Sequence, residues 1–136
     1  MIVGLGVDLI EIARIAQAYE RFGERFARRV LTDDELARFA TKEPVSALAK
    51  YFCAKEAAGK ALGTGVIGPV GFKHIIVEHR KSGRPYLRFE GPAEKRLQTI
   101  GGEAMHLTIS DEKSMAIAVV VIEGPGPDAK RKAGAS

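Results

Sequence analysis

The chain has 136 residues, 46% of them hydrophobic and 28% charged, with a formal net charge of +4. That balance fits one globular domain with a core of its own and excludes disordered and collagen-like classes. No apolar run approaches a membrane span, Met1-Ile2-Val3-Gly4 carries no basic leader, and the single cysteine, Cys53, excludes an intramolecular disulfide.

The expected setting is therefore the cytoplasm. Half of the net charge lies in residues 124–136, where Lys130, Arg131 and Lys132 outweigh Asp128. A basic balance of this kind suits an anionic substrate or acidic partner, and no nucleic-acid motif accompanies it.

Residues 2–10 read as a strand, with Val3, Leu5, Val7 and Leu9 on one face and Ile2, Gly4, Gly6 and Asp8 on the other. Two glycines on one face mark close approach by another backbone or a ligand. Asp8 on that face is either a carboxylate that opens the next helix or an anchored ligand for a cation. From about 11 to 30 the spacing turns helical through Ile12, Ile15, Ala16, Tyr19, Phe22, Phe26 and Val30, with Gly23 as a break or bend. Arg14, Arg21, Arg25, Arg28 and Arg29 crowd the outer positions among Glu11, Glu20 and Glu24. This is either a solvated face with internal ion pairs or a docking surface for an acidic protein. Thr32-Asp33-Asp34-Glu35 is a capping box that opens a short helix through Leu36 and Phe39 to about Ala40.

A longer helix is expected from about Pro44 to Leu62, closed by Gly63-Thr64-Gly65 with Gly63 as a left-handed cap. Leu48, Tyr51, Phe52, Ala58, Gly59 and Leu62 share one apolar arc. Lys55 falls near its middle, Glu56 at its edge and Lys60 a turn further on. A buried charge needs a counter-charge, a metal or a charged ligand. The glycine turn beside these residues is rich enough to bring backbone N–H groups to a phosphate, although it matches neither the P-loop nor the Rossmann pattern.

The second half reads as strands. Residues 72–79 and 86–90 form a hairpin about the turn Lys81-Ser82-Gly83-Arg84-Pro85, Pro92 opens a short helix that Gly101-Gly102 stops, and 105–110 pairs with 115–122. His106 shares a strand face with Thr108 and Ser110, so it points to solvent or to a site. His74 and His79 read as surface residues. From Gly124 the composition predicts a flexible basic tail, which leaves 1–123 as the domain.

No Ser-His-Asp spacing, cysteine cluster or HExxH occurs. Two carboxylates from separate elements, Asp8 and Glu56, suit a hard cation such as Mg²⁺, with waters and substrate phosphates completing its shell. Lysines and a glycine turn alongside point to a phosphate-containing substrate. The rival reading is a non-catalytic module that holds an acidic protein on the arginine-rich helix.

Three segments carry a family resemblance: Gly4-Leu5-Gly6-Val7-Asp8-Leu9-Ile10-Glu11-Ile12, Phe52-Cys53-Ala54-Lys55-Glu56-Ala57 with Lys60-Ala61-Leu62-Gly63-Thr64-Gly65, and His106-Leu107-Thr108-Ile109-Ser110. In this order and spacing they resemble the holo-[acyl-carrier-protein] synthases, the small 4′-phosphopantetheinyl transferases. The turn Gly83-Arg84-Pro85 also matches, and the resemblance spans about residues 2–123.

The resemblance implies an α+β fold in which an antiparallel sheet packs on a long central helix. It implies transfer of 4′-phosphopantetheine from coenzyme A to a serine of apo acyl carrier protein, with release of adenosine 3′,5′-bisphosphate, in fatty acid biosynthesis. Asp8 and Glu56 match Mg²⁺ ligands, Lys60 a phosphate-contacting lysine, and Gly63, Thr64, Gly65 and His106 the coenzyme A pocket. Either Glu56 or a metal-bound water takes the serine proton. Arg14, Arg21 and Arg25 match the surface that docks the acidic carrier. The resemblance further implies a homotrimer with sites between subunits. Two positions depart from the pattern: Tyr51 stands where relatives often carry arginine, so that one phosphate contact is either missing or supplied by Lys50 or another basic residue, and Val7 replaces a small hydroxyl residue.

Overall fold

The computed structural model describes residues 1–39 and 43–128. In chain order the elements are β1 (Ile2–Glu11), α1 (Ile12–Phe22), α2 (Glu24–Val30), α3 (Asp33–Phe39), α4 (Pro44–Leu62), a 3₁₀ turn (Phe72–His74), β2 (Ile75–His79), β3 (Pro85–Phe89), α5 (Gly91–Thr99), β4 (Ala104–Asp111) and β5 (Met115–Glu123). All strand pairs are antiparallel. One sheet has the order β1-β5-β4, and β2 and β3 pair as a hairpin beside it. This is the expected α+β architecture.

The glycine face of β1 turns inward and its apolar face turns out. A Cβ on Gly6 would lie 2.0 Å from the Ala57 carbonyl oxygen, and one on Gly4 2.3 Å from that of Ala61. Only hydrogen fits there, so β1 and α4 meet backbone to backbone. The inward row continues through Ala118, Val120 and Ile122 of β5, all buried. On the outer face Leu5, Val7 and Leu9 remain 67%, 51% and 60% exposed.

The single apolar arc expected for α4 is only part of its buried surface. Ala54, Ala57 and Ala61 make a second buried face against the sheet, while Leu48 and Ala49 pack in a separate core under α1–α3. A helix pressed between two layers loses the one-sided pattern that the wheel assumes. Gly63 closes it in the left-handed conformation, φ 76°, as expected.

Gly23, at φ 57°, separates α1 from α2. The capping box at the start of α3 is complete: Thr32 N–H donates to Glu35 Oε1 at 2.8 Å, and Glu35 N–H to Thr32 Oγ1 at 3.2 Å. Ala40, expected as the last residue of this helix, lies outside the described residues.

Two readings of the segment 72–74 need correction. Residues 72–74 form a 3₁₀ turn before the strand begins, because Gly71 N–H donates to His74 Nδ1 at 2.9 Å and His74 N–H returns to the Gly71 carbonyl at 3.1 Å. His74 is thus a half-buried capping residue rather than a surface one. Beyond β5, Gly124 N–H donates to the Met1 carbonyl at 2.9 Å and Gly126 N–H to that of Gly101 at 3.2 Å. Residues 129–136 of the expected tail lie outside the described residues.

Candidate active site

Asp8 sits on β1 two residues beyond Gly6, at the place where that glycine lets α4 reach the sheet. Its main-chain carbonyl accepts a hydrogen bond from Cys53 Sγ at 3.0 Å, which ties the strand to the helix. Cys53, Glu56 and Lys60 follow at helical spacing and share the side of α4 toward β1. Lys60 Nζ donates to Asp8 Oδ1 at 3.2 Å and to the Val7 carbonyl at 3.0 Å. The Asp8 side chain is 15% exposed and that of Lys60 52%.

Asp8, Glu56, Lys60 and Arg14 line one pocket of about 490 Å³, together with Glu11, Phe52 and Met115. Burial, and after it the Asp8 carboxylate, push the Glu56 carboxyl above the usual carboxylate range, with Lys60 pulling the other way. Two carboxylates here face one lysine ammonium, and the set of hard oxygen donors is what a small divalent cation takes. Among the described residues no group of three or more His, Cys, Asp or Glu side chains gathers as a metal cage. A cation held by two carboxylates, with substrate and water oxygens filling the remaining positions, fits this chemistry; a fully protein-coordinated ion does not.

Cys53 is a buried hydrogen-bond donor between α4 and the sheet. Burial, and then Asp8, push its thiol up to about 12, so it remains protonated and serves as a donor.

Glu56 and Phe52 also border a larger cleft of about 940 Å³. Its floor is a run of aromatic rings from three segments. Phe52 lies 5.2 Å from Phe72 and 6.3 Å from Phe26, centroid to centroid. Val66 and the exposed Ile67 form one edge, and Arg28, Arg29 and Lys73 stand at the rim. Phe26 and Phe72 were not legible as site residues, because each looks like an ordinary core position in its own segment. Glu11 was equally hidden among the charges of the first helix.

The remaining candidates divide. Gly63, Thr64 and Gly65 form the turn at the end of α4, but their N–H groups are spent on it. Gly63 donates to the Lys60 carbonyl at 3.0 Å, and Thr64 and Gly65 both donate to that of Gly59, at 3.1 and 3.0 Å. The expected backbone cradle for a phosphate is therefore not formed by these three amides. His106 is on the outer face of β4, where its Nε2 lies 2.6 Å from Glu123 Oε1, and it lines neither the Asp8 pocket nor the aromatic cleft. Arg21 and Arg25 are exposed on α1 and α2, where Arg21 stacks on Phe22 at 5.1 Å. Lys50 and Tyr51 border a different cavity of about 560 Å³ with Arg38 and His79. Lys50 is also paired with Asp111 at 3.5 Å.

A strand-borne aspartate thus meets a helix-borne Glu and Lys in one pocket between β1 and α4, on the helix that Gly63 caps. The sequence pattern of the 4′-phosphopantetheinyl transferase superfamily matches residues 4–120, and the chain belongs to that family. Within it the similarity is to the holo-[acyl-carrier-protein] synthases. The chain is 50% identical over 123 residues to that synthase from Shewanella frigidimarina, across 90% of this chain and 98% of the relative. The crystal structure of the synthase from Neisseria meningitidis is 42% identical, with a TM-score of 0.83 over 90% of this chain and 99% of the other. That of the Bacillus anthracis synthase, in complex with CoA (3′,5′-ADP), is 34% identical, with a TM-score of 0.76 over 91% and 98%.

Proposed function

We propose that Asp8, Glu56 and Lys60 are the working groups of phosphopantetheine transfer in this chain. The chain is an enzyme that moves 4′-phosphopantetheine from coenzyme A to a serine of apo acyl carrier protein, giving holo acyl carrier protein and adenosine 3′,5′-bisphosphate. The observation that carries our assignment of residues is the convergence of all three on one pocket between β1 and α4.

The serine oxygen attacks the phosphorus that bears the pantetheine arm. One phosphoester bond forms, one phosphoanhydride bond breaks, and the serine loses a proton. Lys60 is the mobile cation for the pyrophosphate, since half of its side chain is in solvent and its hold on Asp8 is an exposed ion pair. Glu56, which lines the pocket with Asp8 and Lys60, is the carboxylate proposed to take the serine proton. Asp8 and Glu56 would hold Mg²⁺, which supplies positive charge to the pyrophosphate when bound.

Arg14, which borders the pocket, with Arg21 and Arg25 beyond it, is proposed to dock the acidic carrier. Among the described residues the ion pair within 4 Å on this surface is Arg28–Glu24 at 3.1 Å, so most of its arginines are open to a partner. A homotrimer with sites between subunits is supported by the exposed Leu5, Val7 and Leu9, which continue into Ile117, Val119 and Val121. His106 lies opposite Val121 on this outer face and would reach coenzyme A from a neighbouring subunit, as would the segment from Gly63 to Gly65. No helix among the described residues is long and apolar enough to cross a membrane, and a cytoplasmic location is part of the proposal.

The test is to mix the protein with coenzyme A, Mg²⁺ and an apo carrier. The expected result is a mass gain of one phosphopantetheine on the carrier, abolished by chelation of the metal. Asp8→Asn and Glu56→Gln that fold and retain full activity would remove the assigned residues. Light scattering after size exclusion reads the assembly, and a monomer would remove the shared-site reading.

A further inference from the structure

Lys55 is fully buried, yet it does not reach the Asp8 pocket. Its ammonium has three donors and meets three acceptors: Glu35 Oε1 at 2.6 Å, the Val30 carbonyl at 2.8 Å and the Phe72 carbonyl at 3.1 Å. Glu35 is also buried, and its other oxygen accepts the Val77 amide at 2.9 Å. The two carbonyls belong to two neighbouring segments that wall the aromatic cleft. Val30 ends α2, and Phe72 begins the 3₁₀ turn. Phe52 and Glu56 of α4 line the same cleft, and Glu56 directly follows Lys55.

We infer that Lys55 is a positioning residue: one buried ammonium ties both walls of the cleft to α4 and so fixes where α2 stands relative to Glu56. Val30 is at the C-terminal end of its helix, where carbonyls lack intrahelical partners and a cation is favoured. Without the ammonium, the Val30 and Phe72 carbonyls are buried acceptors with no donor, and the walls relieve this by parting to admit water. Arg25 rides on α2, so a displaced α2 misplaces the carrier while Asp8, Glu56 and Lys60 remain on β1 and α4. This consequence rests on the transfer reading above; the tie between the walls does not.

Lys55→Met alone leaves Glu35 buried without a counter-charge and can fail to fold, so the decisive protein is the double variant E35Q/K55M. It removes both charges together and approximates both volumes. On protein whose melting temperature is near wild type, the KM for apo carrier is expected to rise about tenfold, with kcat and the KM for coenzyme A within about threefold. The amides of Leu31 and His74, which close α2 and the 3₁₀ turn, are expected to exchange with deuterium at least tenfold faster. Unchanged exchange overturns the inference whether or not the chain transfers phosphopantetheine. Faster exchange with an unchanged carrier KM in an active enzyme overturns the positioning role.

Discussion

Lys55 and Lys60 stand on the same helix, a little more than one turn apart, in surroundings of different kinds. Lys55 is sealed from water and every N–H of its ammonium has an acceptor, one of them the Glu35 carboxylate. Lys60 is half in solvent and balances only one of the two carboxylates beside it. The first arrangement is electrically closed and can only hold the fold together. The second is open, short of positive charge and able to take a further cation or trade its own partner. Residue type and helix position are shared, so what separates architecture from chemistry here is saturation.

The comparison breaks most visibly if the closed lysine proves dispensable. Lys55→Met leaves an unpaired buried carboxylate, and a loss of about 3–5 kcal/mol in denaturant unfolding is expected. An unfolding midpoint equal to wild type would show that the buried pair is not what holds the walls.

Glu56→Gln tests the open side from the acidic half. Transfer is expected to fall by at least about 10²-fold, while thermal stability at neutral pH rises. The sign follows from Glu56 being harder to ionise when folded. Its contribution to stability is full below the usual glutamate range and is lost as pH climbs through the raised folded value. The stability gain of the variant should therefore vanish in acid below that range, which thermal melts across pH would read.

Lys60→Met should lower transfer by about 10²-fold and change stability by no more than about 1 kcal/mol, because an exposed ion pair contributes little. A stability loss like that of the Lys55 variant would erase the distinction between the two lysines. The smallest expected effect is on Cys53, whose thiol should resist alkylation in the native enzyme and react only on unfolding. Rapid labelling of folded protein would mean that the seam between β1 and α4 is looser than the Gly6 contact implies.

Most of the pocket was legible in the chain. Asp8 on a glycine-lined strand face and Glu56 with Lys60 on one helix side are local patterns, and strand alternation and helix spacing report them directly. The glycines announced close approach, and the approaching partner is the α4 backbone. The partner of Lys55 was not legible, since Glu35 had already been read as half of a capping box and its second role depends on how α3 folds back over α4. The orientation of β1 was also hidden. Alternation separates two faces without saying which is inside, and here the apolar one faces out. The spent amides of Gly63 to Gly65 follow from cap geometry, which composition does not encode.

The pairing of β1 with β5 has a consequence for how the enzyme is made. Asp8 lies opposite Ala118, so the strand that carries the first carboxylate has its neighbour near the other end of the described chain. Among the described residues, nothing translated in between pairs with β1 in the sheet. On the ribosome the helices and the β2–β3 hairpin can form early by local contacts, but the pocket cannot close until β5 has emerged. Such long-range closure is slow and leaves a strand edge exposed meanwhile. The backbone edge of β1 stays unpaired until then, and the yield of active enzyme should depend on how quickly β5 arrives to pair with it.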